Sequence, residues 1–383
     1  MKILHEHVRN DDERLQSFRR GVNSMQILTE RNINRIVKYH GASEIPAMAI
    51  MEYVPGENLE EAVSTKKVAD WKTILELGRS LSQVILESHS LPERVLHRDI
   101  RPSNVIIKNP YDEPHDWEIC VLDFDLSWHK DSRELSISAP GTQNGFLAPE
   151  LVKRTKENPT RSAAVDSYGI GMTLYYLRTG DVPFLSQPAH ESWNQQLNQY
   201  SQTFTCKEWE SLPRRFFRLI CKATQIEQKH RADVIEIVSE LNSLYTALTS
   251  ASSLNSVEHW AEELACNASS VDYDWNQDNL TATIQCGGID VLVCADEVRT
   301  QVKLTFSWRQ LGNETYREVR KWLPKAKGKV EASLQKSGWI VSALRVGEYQ
   351  IEGSATANLA ALRHGFKKFS KGLQETIKAL NFK

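Results

Sequence analysis

The sequence predicts an α+β chain built as two domains. Three observations carry that prediction. Before residue 250, apolar residues recur at spacings of three and four along two long stretches, with short apolar runs between them. Residues 248–257 are rich in Ser, Ala, Thr and Asn, the composition of a linker. Beyond them the pattern changes to short runs such as Val291–Ala295 and Val302–Trp308, which predict strands. A chain of 383 residues also exceeds what a single core usually organises.

Taken in order, residues 13–30 predict a helix, because Leu15, Phe18, Val22, Met25 and Leu28 form one apolar stripe. Ile36–Tyr39 and Ala47–Val54 flank a turn with Gly and Pro and predict paired strands. Residues 70–90 predict a second helix through Ile74, Leu77, Leu81, Val84 and Ile85. Loops and short strands are expected from Arg94 to Glu150, and helices with polar connections from Asp166 to about Ala247. In the C-terminal part, segments 314–323 and 357–380 predict helices and complete a small α+β domain.

Composition removes several function classes. A formal net charge of -2 argues against nucleic acid as the partner of the whole chain. The six cysteines form neither a dense secreted framework nor close metal-type pairs. No apolar run reaches the length of about 20 residues that a membrane span needs. Met1 to Asp12 is too polar for a signal peptide. The expectation is a cytoplasmic protein with no membrane partner.

The chemistry is concentrated in Val95-Leu96-His97-Arg98-Asp99-Ile100-Arg101-Pro102-Ser103-Asn104-Val105-Ile106-Ile107. An Asp and an Asn five residues apart, in a loop feeding a strand, is an arrangement for phosphoryl transfer. The Asp accepts the proton of a hydroxyl, and the Asn offers a neutral oxygen to Mg²⁺. Cys120-Val121-Leu122-Asp123-Phe124-Asp125 follows, an apolar strand that delivers a carboxylate at its end. Gly141-Thr142-Gln143-Asn144-Gly145-Phe146-Leu147-Ala148-Pro149-Glu150 and Asp166-Ser167-Tyr168-Gly169 come next, in that order.

On these motifs the sequence resembles the eukaryotic-type (Hanks-type) protein serine/threonine kinases. The resemblance implies a bilobal kinase-like fold over residues 1–247, a linker over 248–257, and an α+β accessory domain over 258–383. It implies ATP and Mg²⁺ as cofactors and a protein Ser or Thr hydroxyl as substrate. Asp99, Arg101 and Asn104 are implied as catalytic, with Asn104 and Asp123 on the metal. Lys2, Met51, Glu52, Val54, Ile106 and Asp123 are implied around the nucleotide. Arg98, Thr142, Glu150, Asp166 and Arg231 are implied as structural or regulatory, with Glu150 paired to Arg231 and Asp166 anchoring the catalytic loop. Ser132, Ser136 and Ser138 fall in the segment such kinases phosphorylate.

Three departures qualify the resemblance. The chain starts at the third small-lobe strand, without the two strands and glycine-rich loop that precede it in the family. Either the protein begins upstream of Met1 or the kinase is truncated. Gly21, in Phe18-Arg19-Arg20-Gly21-Val22, stands where the family has the Glu that holds the lysine, so Glu13 or another carboxylate would have to serve. Asp125 stands where the family has Gly. The alternative reading is therefore a pseudokinase or truncated kinase acting as a binding or scaffold protein. A small-molecule phosphotransferase of the aminoglycoside-kinase type would share the Asp-Asn-Asp logic, but it lacks Ala-Pro-Glu and the later Arg.

The C-terminal domain resembles no family by its motifs. From Asp296 to Lys383 it holds 17 Lys and Arg against 8 Asp and Glu. A basic face of this kind is first a solvated surface, and second a place for nucleic acid, an acidic protein or a phosphorylated segment, and a regulatory partner for this domain is the expectation that follows. Trp260, Trp275, Trp308, Trp322 and Trp339 are read as core and edge aromatics.

Overall fold

The computed structural model describes residues 1–4, 11–112, 117–132, 145–152, 159–182, 190–250, 256–268, 273–276, 279–286, 288–309 and 316–381. Thr142, Ser136, Ser138 and the Glu13 side chain lie outside this description. Two compact units form: Met1–Lys207 with Leu212–Tyr245, and Glu208–Ser211 with Thr246–Lys383.

The first unit opens with a three-stranded antiparallel sheet, β1 (Lys2–Ile3), β2 (Tyr39–Glu44) and β3 (Ala47–Met51), in the order β1-β3-β2. Lys2 pairs with Ala49 of the central strand β3. Helix α1 (Asp12–Glu30) buries Phe18, Val22, Met25 and Leu28, the stripe expected from the spacing. The first predicted strand is shifted. Ile36 makes an isolated parallel bridge to Val121, and the strand begins only at Tyr39. The reason is tertiary: the Val37 N–H bonds the Val121 carbonyl, and the Val121 N–H bonds the Arg35 carbonyl. The second predicted strand ends at Met51 rather than Val54.

A second small sheet, β4 (Glu57–Asn58), β5 (Val105–Ile107) and β6 (Ile119–Val121), has β5 at its centre. Between β4 and β5 run α2 (Leu59–Ser64) and α3 (Trp71–His89). Asn58 caps α2 with a reciprocal bond pattern to Glu61, and the Asp70 carboxylate caps α3 by accepting the Thr73 N–H at 2.9 Å. After the short α4 (Pro149–Val152) comes α5 (Ala164–Thr179), apolar around nearly its whole circumference and accordingly buried. Helices α6 (His190–Thr203), α7 (Leu212–Ala223) and α8 (Val234–Thr249) complete the helical part.

The second unit holds α9 (Val257–Ala268), a six-stranded antiparallel sheet, and two long helices. The strands are β7 (Tyr273–Asn276), β8 (Thr281–Cys286), β9 (Ile289–Asp296), β10 (Gln301–Arg309), β11 (Ile340–Val346) and β12 (Gln350–Asn358). They lie in the order β11-β12-β10-β9-β8-β7. Ile289, Val291 and Val293 of β9 alternate inward, as do Val302, Leu304, Phe306 and Trp308 of β10. Helices α10 (Tyr316–Lys336) and α11 (Leu359–Leu380) add Val319, Leu323, Leu362, Phe369 and Leu373 to the same core. Trp308 and Trp339 are buried in it, which is the expected role of the aromatics.

Two helix boundaries here differ from the sequence prediction. Helix α10 continues past 323 to Lys336, carrying Pro324 within it. Residues 357 and 358 end β12, and the Asn358 side chain caps α11 by accepting the Ala360 N–H. Strand β12 presents Ile351, Gly353, Ala355 and Ala357 inward, side chains mostly too small to show an apolar alternation in sequence. Among the described residues no helix is long and apolar enough to cross a membrane.

Candidate active site

The loop between α3 and β5 is held from beneath by one carboxylate. Asp166, near the start of α5, is completely buried. Its Oδ2 accepts the His97 N–H at 2.9 Å and its Oδ1 the Arg98 N–H at 2.6 Å. His89 Nε2 lies 2.8 Å from the same Oδ2. Burial pushes the Asp166 carboxyl up, but His89, His97 and the Arg98 amide more than offset it, and its pKa falls below the usual value. Asp166 thus sets the backbone from which Asp99 projects. Arg98 takes a left-handed conformation with φ of 69° and is buried.

His97 ties this loop to the next segment. Its Nε2 donates to the Leu122 carbonyl at 2.9 Å, and its Nδ1 accepts the Asp99 N–H at 3.2 Å. Its ring lies 4.6 Å from that of Phe124. Pro102–Asn104 forms a tight turn that delivers Asn104 at the head of β5. Asn104 Nδ2 donates to the Asp99 carbonyl at 2.9 Å and to Asp99 Oδ2 at 3.2 Å. Arg101 Nε stands 3.5 Å from the same Oδ2. Burial raises the Asp99 pKa, with Arg101 and His97 opposing and burial prevailing.

Strand β6 lies beside β5, and the Leu122 N–H bonds the Asn104 carbonyl at 2.8 Å. Asp123 follows directly, with φ of 60°. Lys2 of β1 reaches it: Nζ lies 2.8 Å from Asp123 Oδ1 and 2.7 Å from Asp125 Oδ2. Burial raises the Asp123 pKa, but Lys2 outweighs it and the net direction is downward. Asp125 moves upward, through burial and the neighbouring Asp123 charge. For Lys2, burial lowers the pKa, and Asp125 and Asp123 together reverse that to a net rise. Lys2, Asp99, Arg101, Asn104 and Asp123 therefore belong to one connected group of side chains and loops.

Whether these residues suit Mg²⁺ is tested by their donor chemistry. Hard divalent cations take carboxylate and amide oxygens. Asn104 spends its NH₂ on Asp99, which leaves its amide oxygen with no protein partner among the described residues. Asp123 already holds one cationic group, the Lys2 ammonium, against Oδ1. The donor set fits a small oxygen-seeking cation.

The segment after β3 carries the residues expected around the nucleotide. The Glu52 N–H bonds the Lys38 carbonyl at 2.9 Å, while the Glu52 carbonyl and the Val54 N–H have no backbone partner among the described residues. Met51 ends β3, and Ile106 lies mid-strand in β5, partly exposed. Gly56 makes the turn between them possible. Its φ is 141°, and an added Cβ would sit 2.0 Å from the Ile107 carbonyl oxygen.

Further from the loop, Glu150 and Arg231 form a buried ion pair, the pairing that the kinase resemblance implied. Ser132 is part-buried and its hydroxyl donates to the His129 carbonyl at 2.6 Å. The contact that motif reading did not supply is Lys2 with Asp125. Its sequence signal was a double departure, Gly21 and Asp125 in the same chain.

A family model described as the protein kinase domain matches residues 1–241. This chain belongs to the protein kinase family. Serine/threonine-protein kinase PrkC of Bacillus subtilis is 28% identical over 242 residues, covering 62% of this chain and 34% of that protein. Serine/threonine-protein kinase PkaA of Streptomyces coelicolor is 28% identical over 200 residues, covering 52% of this chain and 35% of that protein. The kinase chain thus spans about a third of the length of these relatives. The resemblance to Hanks-type kinases read from the motifs holds, and so does the kinase-like fold of the first unit.

Proposed function

We propose that the protein is a serine/threonine kinase that transfers the γ-phosphoryl group of ATP to a protein hydroxyl. The observation that carries this reading is the Asp99–Asn104 pair on a loop whose backbone amides end on the buried Asp166. Asp99 accepts the proton of the incoming Ser or Thr hydroxyl as its oxygen bonds the γ-phosphorus. The bond to the bridging oxygen breaks and ADP leaves. Arg101, where related kinases have Lys, faces the transferred group with a fixed positive charge.

Asn104 and Asp123 would hold Mg²⁺, which neutralises charge on the phosphates when bound. Lys2 adds a second cation at the phosphates. The Glu52 carbonyl and Val54 N–H take the adenine edge, between Met51 and the apolar surface of Ile106. Arg98 and the segment containing Thr142 and Ser132 form the regulatory part of this reading. Residues 1–247 serve as the kinase domain and 258–383 as an accessory domain across the 248–257 linker, acting in the cytoplasm. The basic surface of the second domain supports a regulatory partner there.

The test is transfer of labelled phosphate from ATP with Mg²⁺ to a Ser/Thr acceptor protein, by the chain and by Asp99→Ala. Incorporation on Ser or Thr that the substitution abolishes is expected. No incorporation by the unaltered chain, with Mg·ATP bound, would exclude the kinase reading for this chain.

A further inference from the structure

The lysine that would hold the phosphates needs a carboxylate to fix its ammonium. In this chain the helix position that would supply one is Gly21. Lys2 nevertheless sits between two carboxylates, Asp123 at 2.8 Å and Asp125 at 2.7 Å. These two acids lie on the same strand exit, one residue apart. Asp123 Oδ1 also accepts the Asp125 N–H at 3.4 Å, which bends the segment so that both acids converge on Lys2.

Gly21 lies close against this segment. A Cβ there would lie 2.9 Å from the Phe124 carbonyl oxygen and 3.1 Å from Asp125 Cα. Both neighbours are backbone, so they could not yield by a side-chain rotation. Three hydrogen bonds clamp the segment to the same helix. Ser17 Oγ donates to the Asp125 carbonyl at 3.0 Å, Arg20 Nε to the Ser127 carbonyl at 2.6 Å, and Ser127 Oγ to Ser24 Oγ at 2.8 Å. The absent side chain at 21 is therefore what lets residues 124 and 125 press on the helix, and the helix in turn fixes where Asp125 points.

We infer that Asp125 is the positioning residue for Lys2, replacing a helix carboxylate, and that Gly21 and Asp125 work as one coupled device. The inference rests on the kinase reading for its purpose, since it assigns Asp123 to the metal. A carboxylate engaged with a divalent cation has less charge to offer an ammonium. Asp125 supplies Lys2 with a separate anchor, so Asp123 is released for the cation without freeing the lysine.

The test is a double-mutant cycle on the full chain: Lys2→Met, Asp125→Asn and both together. Mg·ATP affinity is read by calorimetry, which needs no turnover, and thermal unfolding is read without nucleotide. Each single substitution is expected to weaken Mg·ATP by about tenfold. With Lys2 already replaced, Asp125→Asn should change affinity by less than about twofold, the sign of a shared interaction. The melting temperatures should show the same non-additivity without nucleotide. Gly21→Ala, which adds only the clashing Cβ, should weaken Mg·ATP as Asp125→Asn does. Additive effects in both readouts would overturn the inference, as would an Asp125→Asn protein with unchanged affinity and melting temperature. Failure of phosphate transfer by the parent chain bears on the kinase reading alone, because the cycle is read on binding and unfolding.

Discussion

Arg231 grips Glu150 with two prongs, Nη1 to Oε1 at 2.7 Å and Nη2 to Oε2 at 3.2 Å, and neither side chain is exposed to solvent. The remaining bonding capacity is also used. Arg231 donates to the Gln225, Ile226 and Ala164 carbonyls, and Gln228 donates to Glu150. Removing one partner strands a buried charge. Glu150→Ala or Arg231→Ala should destabilise the kinase unit by about 3–5 kcal/mol. Urea unfolding followed by far-UV circular dichroism measures this, and a loss too small to resolve would refute it.

Asp166→Asn should disorder the catalytic loop, because its two oxygens bind consecutive backbone amides. The pH dependence has a definite sign. A carboxyl held below its ordinary value contributes stability above that value, about 3.9 for Asp, and loses it as pH falls through the folded pKa. The gap in unfolding free energy between the parent and Asp166→Asn should be flat from neutral pH down to about 5 and narrow below about 4. A gap that widens on acidification would contradict this origin.

Burial raises the Asp99 pKa while Arg101 restrains the rise. The acid limb of the rate profile should lie above the value of a free aspartate, about 3.9. Arg101→Ala removes the opposing charge and should move the limb further up. Asp99→Asn should lower kcat by a factor of about 10² to 10⁴. A limb that stays fixed when Arg101 is replaced would show that it belongs to another group.

Gly56→Ala places a Cβ against the Ile107 carbonyl at a backbone φ that alanine avoids. A cost of about 1–3 kcal/mol is expected from the strained backbone. The KM for ATP should rise as well, because Ile106 and Val54 flank the same turn. Equilibrium unfolding and steady-state kinetics on one preparation would check both effects.

In the second unit, Trp308 is buried in the sheet core with its ring 4.7 Å from that of Trp322. Trp308→Ala should cost about 3–5 kcal/mol through lost packing and the cavity left behind. Thermal unfolding of the full chain should show the transition carrying this unit shift downward.

Much of the site is legible in the chain because its parts are local. Asp99 and Asn104 are five residues apart, and their loop runs directly into β5. The buried pair Glu150–Arg231 and the bonds from the loop amides to Asp166 were readable only through the kinase resemblance of their motifs. The second unit was less legible. Strand β12 turns small residues inward and shows no strong apolar period, whereas α9 places Val257, Ala261, Leu264 and Ala265 at helical spacing but starts directly after the linker composition.

The amino-acid sequence by itself determined the helices with clear apolar stripes and the order of the kinase-like motifs. Each depends on neighbours within a few positions, where backbone geometry decides what can touch. Tertiary structure alone decided that Asp125 joins Asp123 at Lys2. That contact joins β1 to a segment more than a hundred residues later, and it exists because a missing side chain at Gly21 lets a helix and a loop close on each other. A clearance of this kind is a property of two surfaces in contact, which no local pattern in the chain encodes.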